Sequence, residues 1–449
     1  MSGNRKCAWE YIRKLLPSKN NQMNVLIIGS GSREHTLAWA IRNNPRIDSL
    51  FVAPGNAGTA DIATNLDLDT MDNETLLKNV KAHDIDLTVV GPESPLANGI
   101  VDRFQELGLR IFGPTQAAAE LESSKAFAKD FMQRNGIPTA DGLIFDSHAE
   151  ASRFIEQHDT PLVVKADGLA AGKGVTVALT KEDAFAALNS CMKERRFGSA
   201  GDRVVIEECL TGREVSVFVF TDGQSISPSI AACDYKRAYD GNIGPNTGGM
   251  GSYSPPEFWN NSLAKDVEKN IIQPTIDALA KEGRIYKGVL YAGLMLTEKG
   301  PKVIEFNCRL GDPETQVIIP LLETDLIEIV DSVLEGDLTR TPIQWSSDSS
   351  VGIVITSGGY PYEYEKGNSI TGFDHIEDDA LVFHGGTRIV SGKSETTTQV
   401  VTNGGRVMTV VGRGSSIAVA RKQAYKAAQQ IKFHNSFYRN DIALHLNNL

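Results

Sequence analysis

The sequence predicts a multidomain protein that combines α/β and α+β folds: a doubly wound parallel sheet at the N-terminus, α+β domains in the centre, and a small β-rich domain at the C-terminus. Its 449 residues are enough for two to four domains, each with its own core. From Val25 onwards, short β-branched runs alternate with helix-length amphipathic segments, as in a parallel sheet. From about residue 123 the runs become shorter and β-rich, which is typical of antiparallel hairpins.

These changes of pattern divide the chain into four parts. Residues 1–22 are predicted to be a disordered extension, or to precede a true start at Met23, because Pro17 and the Ser-Lys-Asn-Asn-Gln run after it are typical of a linker. The segment KDVEKNIIQPTIDALAKEG, residues 265–283, predicts one long helix. The domains are predicted at residues 23–122, 123–335 and 345–445.

In the first domain, each predicted strand ends in Gly or Pro where the chain leaves the sheet; the strands are VLIIG, SLFVAP, DLTVVGP and LRIFGP. Ligands of open α/β sheets bind at these carboxyl ends. The first end, GSGSREH, has Gly29 and Gly31, but Glu34 stands at the third glycine position of a dinucleotide-binding motif. The second strand also lacks the acid that would hold a ribose. We therefore favour an anion site, formed by helix-start N–H groups and Arg33, over a nicotinamide or flavin site.

Composition and charge exclude several classes of function. The formal net charge is −11, so the protein is a poor non-specific partner for nucleic acid or for an anionic membrane, which are both polyanions. No apolar run approaches the roughly 20 residues that cross a bilayer. The five cysteines form no Cys-x-x-Cys pair, which is typical of reduced thiols and predicts a cytoplasmic location.

The stretch KADGLAAGKGV, residues 165–175, is similar to a phosphate-binding P-loop but lacks its spacing. Gly168 and Gly172 enclose three residues instead of four, and Gly174 follows Lys173 where a Mg²⁺-binding hydroxyl is needed. The flanking runs PLVVK and VTVAL are both strand-like. The stretch is therefore predicted to be a glycine-rich hairpin turn whose mobile tip can fold over a ligand.

Charged residues around this hairpin indicate a nucleotide site of another kind. Lys165 interrupts an apolar strand and Lys125 lies on the preceding helix, so both can bind phosphate oxygens in one cleft. Glu207 and Glu208 follow the apolar run RVVI. Because neighbours in a strand point to opposite faces, one of these acids is expected to face the cleft and the other the solvent.

Two further segments carry candidate ligands. In VIEFNCRLGDPET, Glu305 and Asn307 share one face of a strand, and both offer the oxygen atoms that Mg²⁺ prefers. An acid within such an apolar run is costly to bury unless a cation or donor compensates it. The segment GPNTGGMGSYSP, residues 244–255, has four glycines and could form either a flexible loop or a backbone nest around a small anion.

The chain resembles the phosphoribosylamine–glycine ligase family, one of the ATP-grasp ligases. The resemblance covers about residues 23–445 and rests on motifs that occur in order: GSGSREH, APGNAGTA, GPESPL, FGPT, SSKAFAK, VVKADGLAAGKGV, VVIEE, GPNTGGMGSYSP and VIEFNCRLGDPETQ. It implies central ATP-grasp domains with a mobile small lobe at about residues 143–212. It also implies the second step of de novo purine synthesis, in which ATP converts glycine into glycyl phosphate and 5-phosphoribosylamine then attacks.

The resemblance implies roles for particular residues, with ATP as co-substrate and Mg²⁺ or Mn²⁺ as the metal. Catalytic roles fall on Lys165, Arg309, Asp312 and Asp234. ATP contacts fall on Lys125, Lys165, Gly172, Lys173, Glu207, Glu208 and Glu214. Contacts with glycine and 5-phosphoribosylamine fall on Gly31, Arg33, Glu34, Asn56, Glu93, Asn246, Thr247, Gly248 and Gly249. The metal ligands would be Glu305 and Asn307. A monomer is expected, with a weak dimer as the alternative.

One feature departs from the family pattern, and other functions stay open at this level. ATP-grasp enzymes commonly carry a metal-binding acid on the strand before Glu-x-Asn, but here that strand, VLYAGLML, has none, so the number of metal ions stays open. The alternatives are another ATP-grasp carboxylate–amine ligase or a carboxylase subunit, a nicotinamide-dependent oxidoreductase, and a nucleotide-sensing protein without catalysis.

Overall fold

The computed structural model describes residues 22–170, 173–377, 379–391 and 398–444. Apart from Gln22, the predicted extension lies outside the described residues, and so does Gly172. Within the described ranges, no helix combines the length and apolar character that a membrane span requires.

The N-terminal sheet is parallel, as predicted, with strand order β3-β2-β1-β4-β5. Its strands are β1 Met23–Gly29, β2 Ile47–Pro54, β3 Thr64–Asn65, β4 Leu87–Val90 and β5 Ile111–Phe112. Its helices are α1 Ser32–Ile41, α2 Ala57–Ala60, α3 Asn73–Ala82, α4 Glu93–Ala97 and α5 Ile100–Glu106. Since parallel strands end at one edge of the sheet, the segments after β1, β2 and β4 lie side by side there. The short edge strand β3 was not among the predicted strands.

The small lobe is a separate antiparallel sheet with strand order β6-β9-β7-β8. Its strands are β6 Gly142–Phe145, β7 Leu162–Ala166, β8 Val175–Ala178 and β9 Val204–Glu208. Helices α8 His148–Gln157 and α9 Lys181–Met192 pack on one face, where Val164, Ile206 and Leu188 form the core. Strands β7 and β8 pair with Lys165 opposite Val175, which confirms the predicted hairpin. Helices α6 Gln116–Ser123 and α7 Lys125–Arg134 connect this lobe to the N-terminal domain.

A large sheet, with order β16-β15-β10-β11-β14-β17-β21-β18, extends through the centre and the C-terminal part. Its strands are β10 Arg213–Thr221, β11 Ile230–Asp234, β14 Gly251–Ser254, β15 Gly288–Thr297, β16 Gly300–Asn307, β17 Ser349–Thr356, β18 Ala380–His384 and β21 Arg406–Gly414. Strand β14 pairs with β17 through Gly251 and Ile353, so the sheet is continuous across the boundary predicted between residues 335 and 345. The sequence pattern showed two β-rich sections but not that their strands join.

The remaining elements complete these layers. They are the ribbons β12 Arg237–Tyr239 with β13 Ile243–Asn246 and β19 Thr387–Ser391 with β20 Thr398–Thr402, and the helices α10 Asn261–Val267, α11 Gln273–Lys281, α12 Thr315–Ile318, α13 Leu326–Glu335 and α14 Ile417–Ala428. Short 3₁₀ turns occur at Gly198–Gly201, Ile319–Leu321, Leu338–Arg340 and Phe373–His375.

The long helix predicted at residues 265–283 is present as continuous helical structure, but its interior is not regular α-helix. A π-helical turn, Glu268–Ile272, separates α10 from α11. Pro274 lies at the start of α11 and has no N–H to donate to the preceding turn. A wider turn just before a proline is the local adjustment that such a missing donor produces, so the helix continues but its hydrogen-bond pattern changes.

Candidate active site

An open cleft of about 390 Å³ lies where the small lobe, the large sheet and the N-terminal domain meet. Its walls contain residues from all three predicted sections of the chain. The sequence-predicted residues that line it are Arg33, Glu93, Lys125, Lys165, Glu207, Asp234, Thr247, Gly248, Glu305, Asn307, Arg309 and Asp312. The fold therefore brings together residues that lie about 370 positions apart in the chain, from Arg33 to Arg406.

Two lysines hold a buried carboxylate on the small-lobe side of the cleft. Lys165 Nζ lies 2.5 Å from Glu207 Oε2, and Lys129 Nζ lies 2.7 Å from Glu207 Oε1. Lys165 also donates to the carbonyl oxygen of Ile304 on β16 at 3.0 Å, so it joins the small lobe to the large sheet. Glu207 is 5% exposed whereas Glu208 is exposed, which confirms that the two neighbours point to opposite faces.

The base of the glycine-rich hairpin is anchored to the start of α7. Asp167 Oδ1 accepts hydrogen bonds from Ser124 Oγ and from the backbone N–H of Ala126, both at 2.8 Å. Its other oxygen accepts from Arg203 at 2.6 Å. Lys125 Nζ donates to the carbonyl oxygen of Gly168 at 3.1 Å, and burial lowers its pKa. Its position in the cleft makes this lysine a candidate phosphate ligand.

Strand β16 carries the predicted metal ligands into the cleft. Burial opposes ionisation of Glu305, but Lys236, Lys165 and Lys125 hold its pKa below the ordinary value, so the carboxylate is ionised at neutral pH. Asn307 is buried, and its Oδ1 accepts from Arg309 at 3.1 Å. Across the sheet, Gly293 of β15 pairs with Glu305, in the strand where the sequence shows no acid.

A second charged group lies where β11 ends. Burial raises the pKa of Asp234 to about 7, although Lys236 acts in the opposite direction. Burial lowers the pKa of Lys236, but Asp234 and Glu214 outweigh it, so the pKa of this lysine lies well above its ordinary value. Lys236 forms an ion pair with Glu214 at the start of β10. A carboxyl that titrates near neutral pH is a candidate for proton transfer.

The glycine-rich segment 244–251 folds back against this group. The backbone N–H of Thr247 donates to the carbonyl oxygen of Lys236 at 2.7 Å, and Thr247 Oγ1 donates to the same oxygen at 2.9 Å. Gly249 has φ +111°, and a Cβ there would overlap Pro313, so only glycine fits. Thr247 and Gly248 reach the cleft, whereas Asn246 belongs to the ribbon β13 and lies outside the lining.

Arg309 joins the cleft to the N-terminal domain. Its Nε lies 2.9 Å from Glu93 Oε2 and its Nη2 lies 2.8 Å from Glu122 Oε1. Burial raises the pKa of Glu122, with the charge of Arg309 acting against it. Burial acts to raise the pKa of Glu93 as well, but the charges of Arg309 and Arg33 outweigh it and hold this pKa below the ordinary value. This guanidinium is therefore paired with two carboxylates, one from α4 and one from α6.

A second cavity of about 830 Å³ lies between the N-terminal and C-terminal domains. Its walls are the loop after β1, the loop after β2 and the turn between β18 and β19. The lining includes Ser30, Gly31, Ser32, Asn56, Asp67, Gly385, Thr387, Arg388 and Asn403. Asp312 and Arg406 line both cavities, so the two are adjacent through these side chains. Arg406 donates to the carbonyl oxygen of Asp312 at 2.7 Å.

Buried polar contacts hold the two walls of this second cavity together. Asn56 Nδ2 donates to the carbonyl oxygens of Ser30 at 2.9 Å and His384 at 2.7 Å. His35 Nδ1 accepts from the backbone N–H of His384 at 2.8 Å, and Ser32 Oγ donates to the carbonyl oxygen of Phe383 at 3.1 Å. The start of α1 and the end of β18 therefore form one unit.

The two histidines at this junction make stability dependent on pH. Burial lowers the pKa of His35 to about 3, with further contributions from His384 and Arg42, and burial lowers the pKa of His384 to about 4. Unfolded histidine takes up a proton near pH 6.5, whereas the buried histidines stay neutral until the pH is much lower. Their contribution to the free energy of unfolding is therefore fully present above pH 6.5 and declines as pH falls towards 4. Between pH 7 and pH 5, we expect the free energy of unfolding of His35→Asn to fall by about 2 kcal/mol less than that of the parent. Urea unfolding at the two pH values provides the measurement.

The exposed His158 supplies the control for this prediction, because it lies at the surface of the small lobe and not at this junction. His158→Gln should keep the pH dependence of the parent protein. Equal pH dependence in His35→Asn and the parent would show that the junction does not control acid stability.

Several predicted residues lie outside the lining of both cavities. Glu208 Oε1 accepts from Lys302 at 2.7 Å and from the N–H of Asp141 at 3.0 Å. Glu34 is buried and its Oε2 accepts from the N–H of Gly31 at 2.6 Å, so it shapes the helix start. The others are Lys173, which is exposed, and Glu214, Asn246 and Gly249.

The cleft also contains charged residues for which the sequence analysis proposed no role: Glu122, Lys129, Lys236, Glu314 and Arg406. Two of them had a usable signal, since Lys129 lies one helical turn after Lys125 and Lys236 lies two residues after Asp234. Glu314 is buried and its Oε1 accepts from Tyr291 Oη at 2.9 Å. Arg406 had no local signal, because its contacts are with residues that are distant in sequence.

Known proteins of one family match most of this chain. Models of the phosphoribosylglycinamide synthetase N domain, ATP-grasp (A) domain and C domain match residues 23–122, 123–315 and 350–445. Phosphoribosylamine–glycine ligase of Halalkalibacterium halodurans is 48% identical over 420 residues, which are 94% of this chain and 96% of that protein. The ligase of Pseudomonas aeruginosa is 48% identical over 424 residues, covering 94% and 97%.

Solved structures give the same result. The crystal structure of phosphoribosylamine–glycine ligase from Thermotoga maritima has a TM-score of 0.80 and 34% identity, and the match covers 93% of this chain and 100% of that one. A biotin carboxylase domain from Hydrogenobacter thermophilus has a TM-score of 0.68 at 15% identity, covers 93% and 92%, and shows a shared fold alone. On this identity and coverage, the chain belongs to the phosphoribosylglycinamide synthetase family, also called the phosphoribosylamine–glycine ligases.

Proposed function

We propose that the protein uses ATP to ligate glycine to 5-phosphoribosylamine, giving N1-(5-phosphoribosyl)glycinamide, ADP and phosphate, as the second step of purine synthesis. The observation that carries this proposal is the convergence of Lys165, Glu305 and Asn307 on one cleft, in a chain 48% identical to ligases of that name. A cytoplasmic location and a monomeric state, with a weak dimer as the alternative, remain predictions.

ATP fits the cleft between the small lobe and the large sheet. Lys125 and Lys165 would bind the phosphates, since both line the cleft. Lys125 donates to the carbonyl oxygen of Gly168 in the small lobe, and Lys165 donates to that of Ile304 in the large sheet. The apolar side chains of Met132, Leu169 and Ile304 line the same cleft and offer a surface for the adenine ring. Glu207, Glu208 and Glu214 at the adenine–ribose end, and Gly172 and Lys173 on the hairpin, remain predicted contacts.

The residues of β16 fit a divalent metal ion. Glu305 is held ionised by surrounding lysines, and Asn307 adds an amide oxygen on the same strand face. In the described residues no group of three or more His, Cys, Asp or Glu side chains could hold a metal by itself. A site with two protein ligands suits Mg²⁺ or Mn²⁺ that is carried on the nucleotide, because phosphate and water oxygens complete its coordination. Such an ion would offset the charge of the transferring phosphate.

The reaction that we propose has two bond exchanges. A carboxylate oxygen of glycine attacks the γ-phosphorus of ATP, and the bond from that phosphorus to ADP breaks, which gives glycyl phosphate. The amine nitrogen of phosphoribosylamine then attacks the acyl carbon, and phosphate leaves. Arg309, Asp312 and the segment 246–249 would orient the acyl phosphate, and Asp234, with a pKa near 7, would take the proton that the amine loses.

Phosphoribosylamine fits the second cavity. Its phosphate could contact the helix start at Gly31 together with Arg388, while Asn56 shapes the wall. Its amine would then reach the acyl carbon beside Asp312, which lines both cavities. Arg33 and Glu93 line the first cleft, on the side of the N-terminal domain.

The test is ADP release by the full chain with Mg–ATP, glycine and freshly prepared phosphoribosylamine, each omitted in turn. We expect ADP formation to require glycine and to become multiple-turnover when phosphoribosylamine is present, with glycinamide ribonucleotide as the product. ADP release that is independent of glycine would contradict the proposal. Bicarbonate-dependent release without a glycine requirement would instead favour a carboxylase.

A further inference from the structure

Tyr360 contacts the glycine-rich segment from the C-terminal domain. The residue follows β17, and its hydroxyl oxygen accepts a hydrogen bond from the backbone N–H of Gly248 at 2.9 Å. Gly248 lies in the wall of the cleft that contains Glu305. Neither the sequence motifs nor the proposed chemistry has assigned a role to this tyrosine.

Arg406, at the start of β21, binds the other backbone polar group of Gly248, the carbonyl oxygen. Its Nη1 donates to the carbonyl oxygen of Gly248 and to the carbonyl oxygen of Asp312, the latter at 2.7 Å. Its guanidinium also lies 3.5 Å from the Asp312 carboxylate. Both polar groups of Gly248 are therefore held by the C-terminal domain, and one of these contacts also fixes Asp312.

The tyrosine ring packs against the backbone of Gly405. A Cβ at Gly405 would overlap the Tyr360 ring, so the ring packs directly on the glycine backbone. The N–H of Ser357 donates to the carbonyl oxygen of Gly405 at 2.8 Å, which holds the two segments in register. Since Gly405 precedes Arg406, the tyrosine and the arginine that contact Gly248 are supported by the same backbone.

We propose that Tyr360 is a positioning residue for the carboxylate substrate: it holds the Gly248 peptide, with Arg406, in the orientation in which segment 246–249 meets Asp312. This inference rests on the proposed ligase function. Glycine has few atoms of its own with which to fix its position, so a binding loop with glycines must be immobilised by its surroundings. Tyr360 reaches this loop from outside the cleft lining and acts through the backbone.

The test is Tyr360→Phe, which keeps the ring and removes only the hydroxyl acceptor. One lost hydrogen bond of ordinary strength changes an equilibrium by about fivefold to tenfold. We expect kcat/KM for glycine to fall by that factor, the KM for ATP to stay within about twofold, and the melting temperature to stay near that of the parent. Tyr362→Phe is the matched control, because Tyr362 is 71% exposed two residues away, and it should match the parent in all three measurements.

Two results would overturn the inference. An unchanged kcat/KM for glycine in Tyr360→Phe would show that the hydrogen bond does not position the loop. Equal losses for ATP and glycine together with a lower melting temperature would show that Tyr360 has only a structural role. Failure of the ligase function itself is recognised separately, because the parent protein would then show no glycine-dependent ADP release.

Discussion

Replacing Glu305 with Gln is expected to lower glycine-dependent ADP release by about 100- to 1,000-fold, an effect comparable to the loss of one essential electrostatic contact with a transition state. The amide keeps the size of the side chain but removes the negative charge that a divalent ion needs. In the free protein this carboxylate faces Lys236, Lys165 and Lys125, which hold its pKa below the ordinary value. The measurement is the steady-state rate at saturating Mg–ATP, glycine and phosphoribosylamine.

The matched control for this variant is Glu298→Gln, which alters an exposed acid in the turn between β15 and β16. It should keep the parent rate. If Glu305→Gln retained more than about a tenth of that rate, Glu305 would not be the main protein ligand of the metal. A supporting observation would be a higher Mg²⁺ requirement in a variant with Asn307 replaced by Ala.

The second large effect is expected for Lys165→Met, which should reduce kcat by about 100-fold or more and raise the KM for ATP. Methionine replaces the apolar stem of lysine but not its charge. Glu207 would keep its ion pair with Lys129 at 2.7 Å, so the buried carboxylate is not left without a partner and the fold should persist. Initial rates at varied ATP, with a thermal melt for each protein, provide the measurement.

Lys299→Met, in the exposed turn after β15, controls for the loss of a lysine elsewhere on the protein and should behave as the parent does. Near-normal kcat in Lys165→Met would contradict a role in phosphate binding. A melting temperature lowered by many degrees would instead mean that the lysine mainly stabilises the lobe contact with Ile304.

Much of the fold could be predicted from local patterns. The alternation of VLIIG, SLFVAP, DLTVVGP and LRIFGP with amphipathic segments predicted the parallel N-terminal sheet, since each buried strand needs an apolar run and each crossover needs a helix. The glycines of KADGLAAGKGV predicted a hairpin, and β7 pairs with β8 as expected. The long helix predicted at 265–283 is present, and its hydrogen-bond pattern changes just before Pro274.

The candidate site could be predicted where its residues follow strand ends or share a strand face. Lys165, Glu207, Glu305 and Asn307 were recognised because each interrupts or ends an apolar run, and burial of such groups requires partners. Contacts between distant segments could not be predicted in this way. Arg406 lies 94 residues from Asp312, and no pattern around either residue indicates that they meet.

The sequence by itself determined the order of strands and helices, the hairpin turns and the polar residues at strand ends, because these depend on backbone preferences and on the spacing of apolar side chains. Only the tertiary structure decided that β14 pairs with β17, so that one sheet joins the central and C-terminal sections and places Tyr360 and Arg406 on Gly248. It also decided that Glu207 lies between Lys129 and Lys165. These contacts depend on which strands are neighbours and how lobes pack, and local sequence carries little of that information.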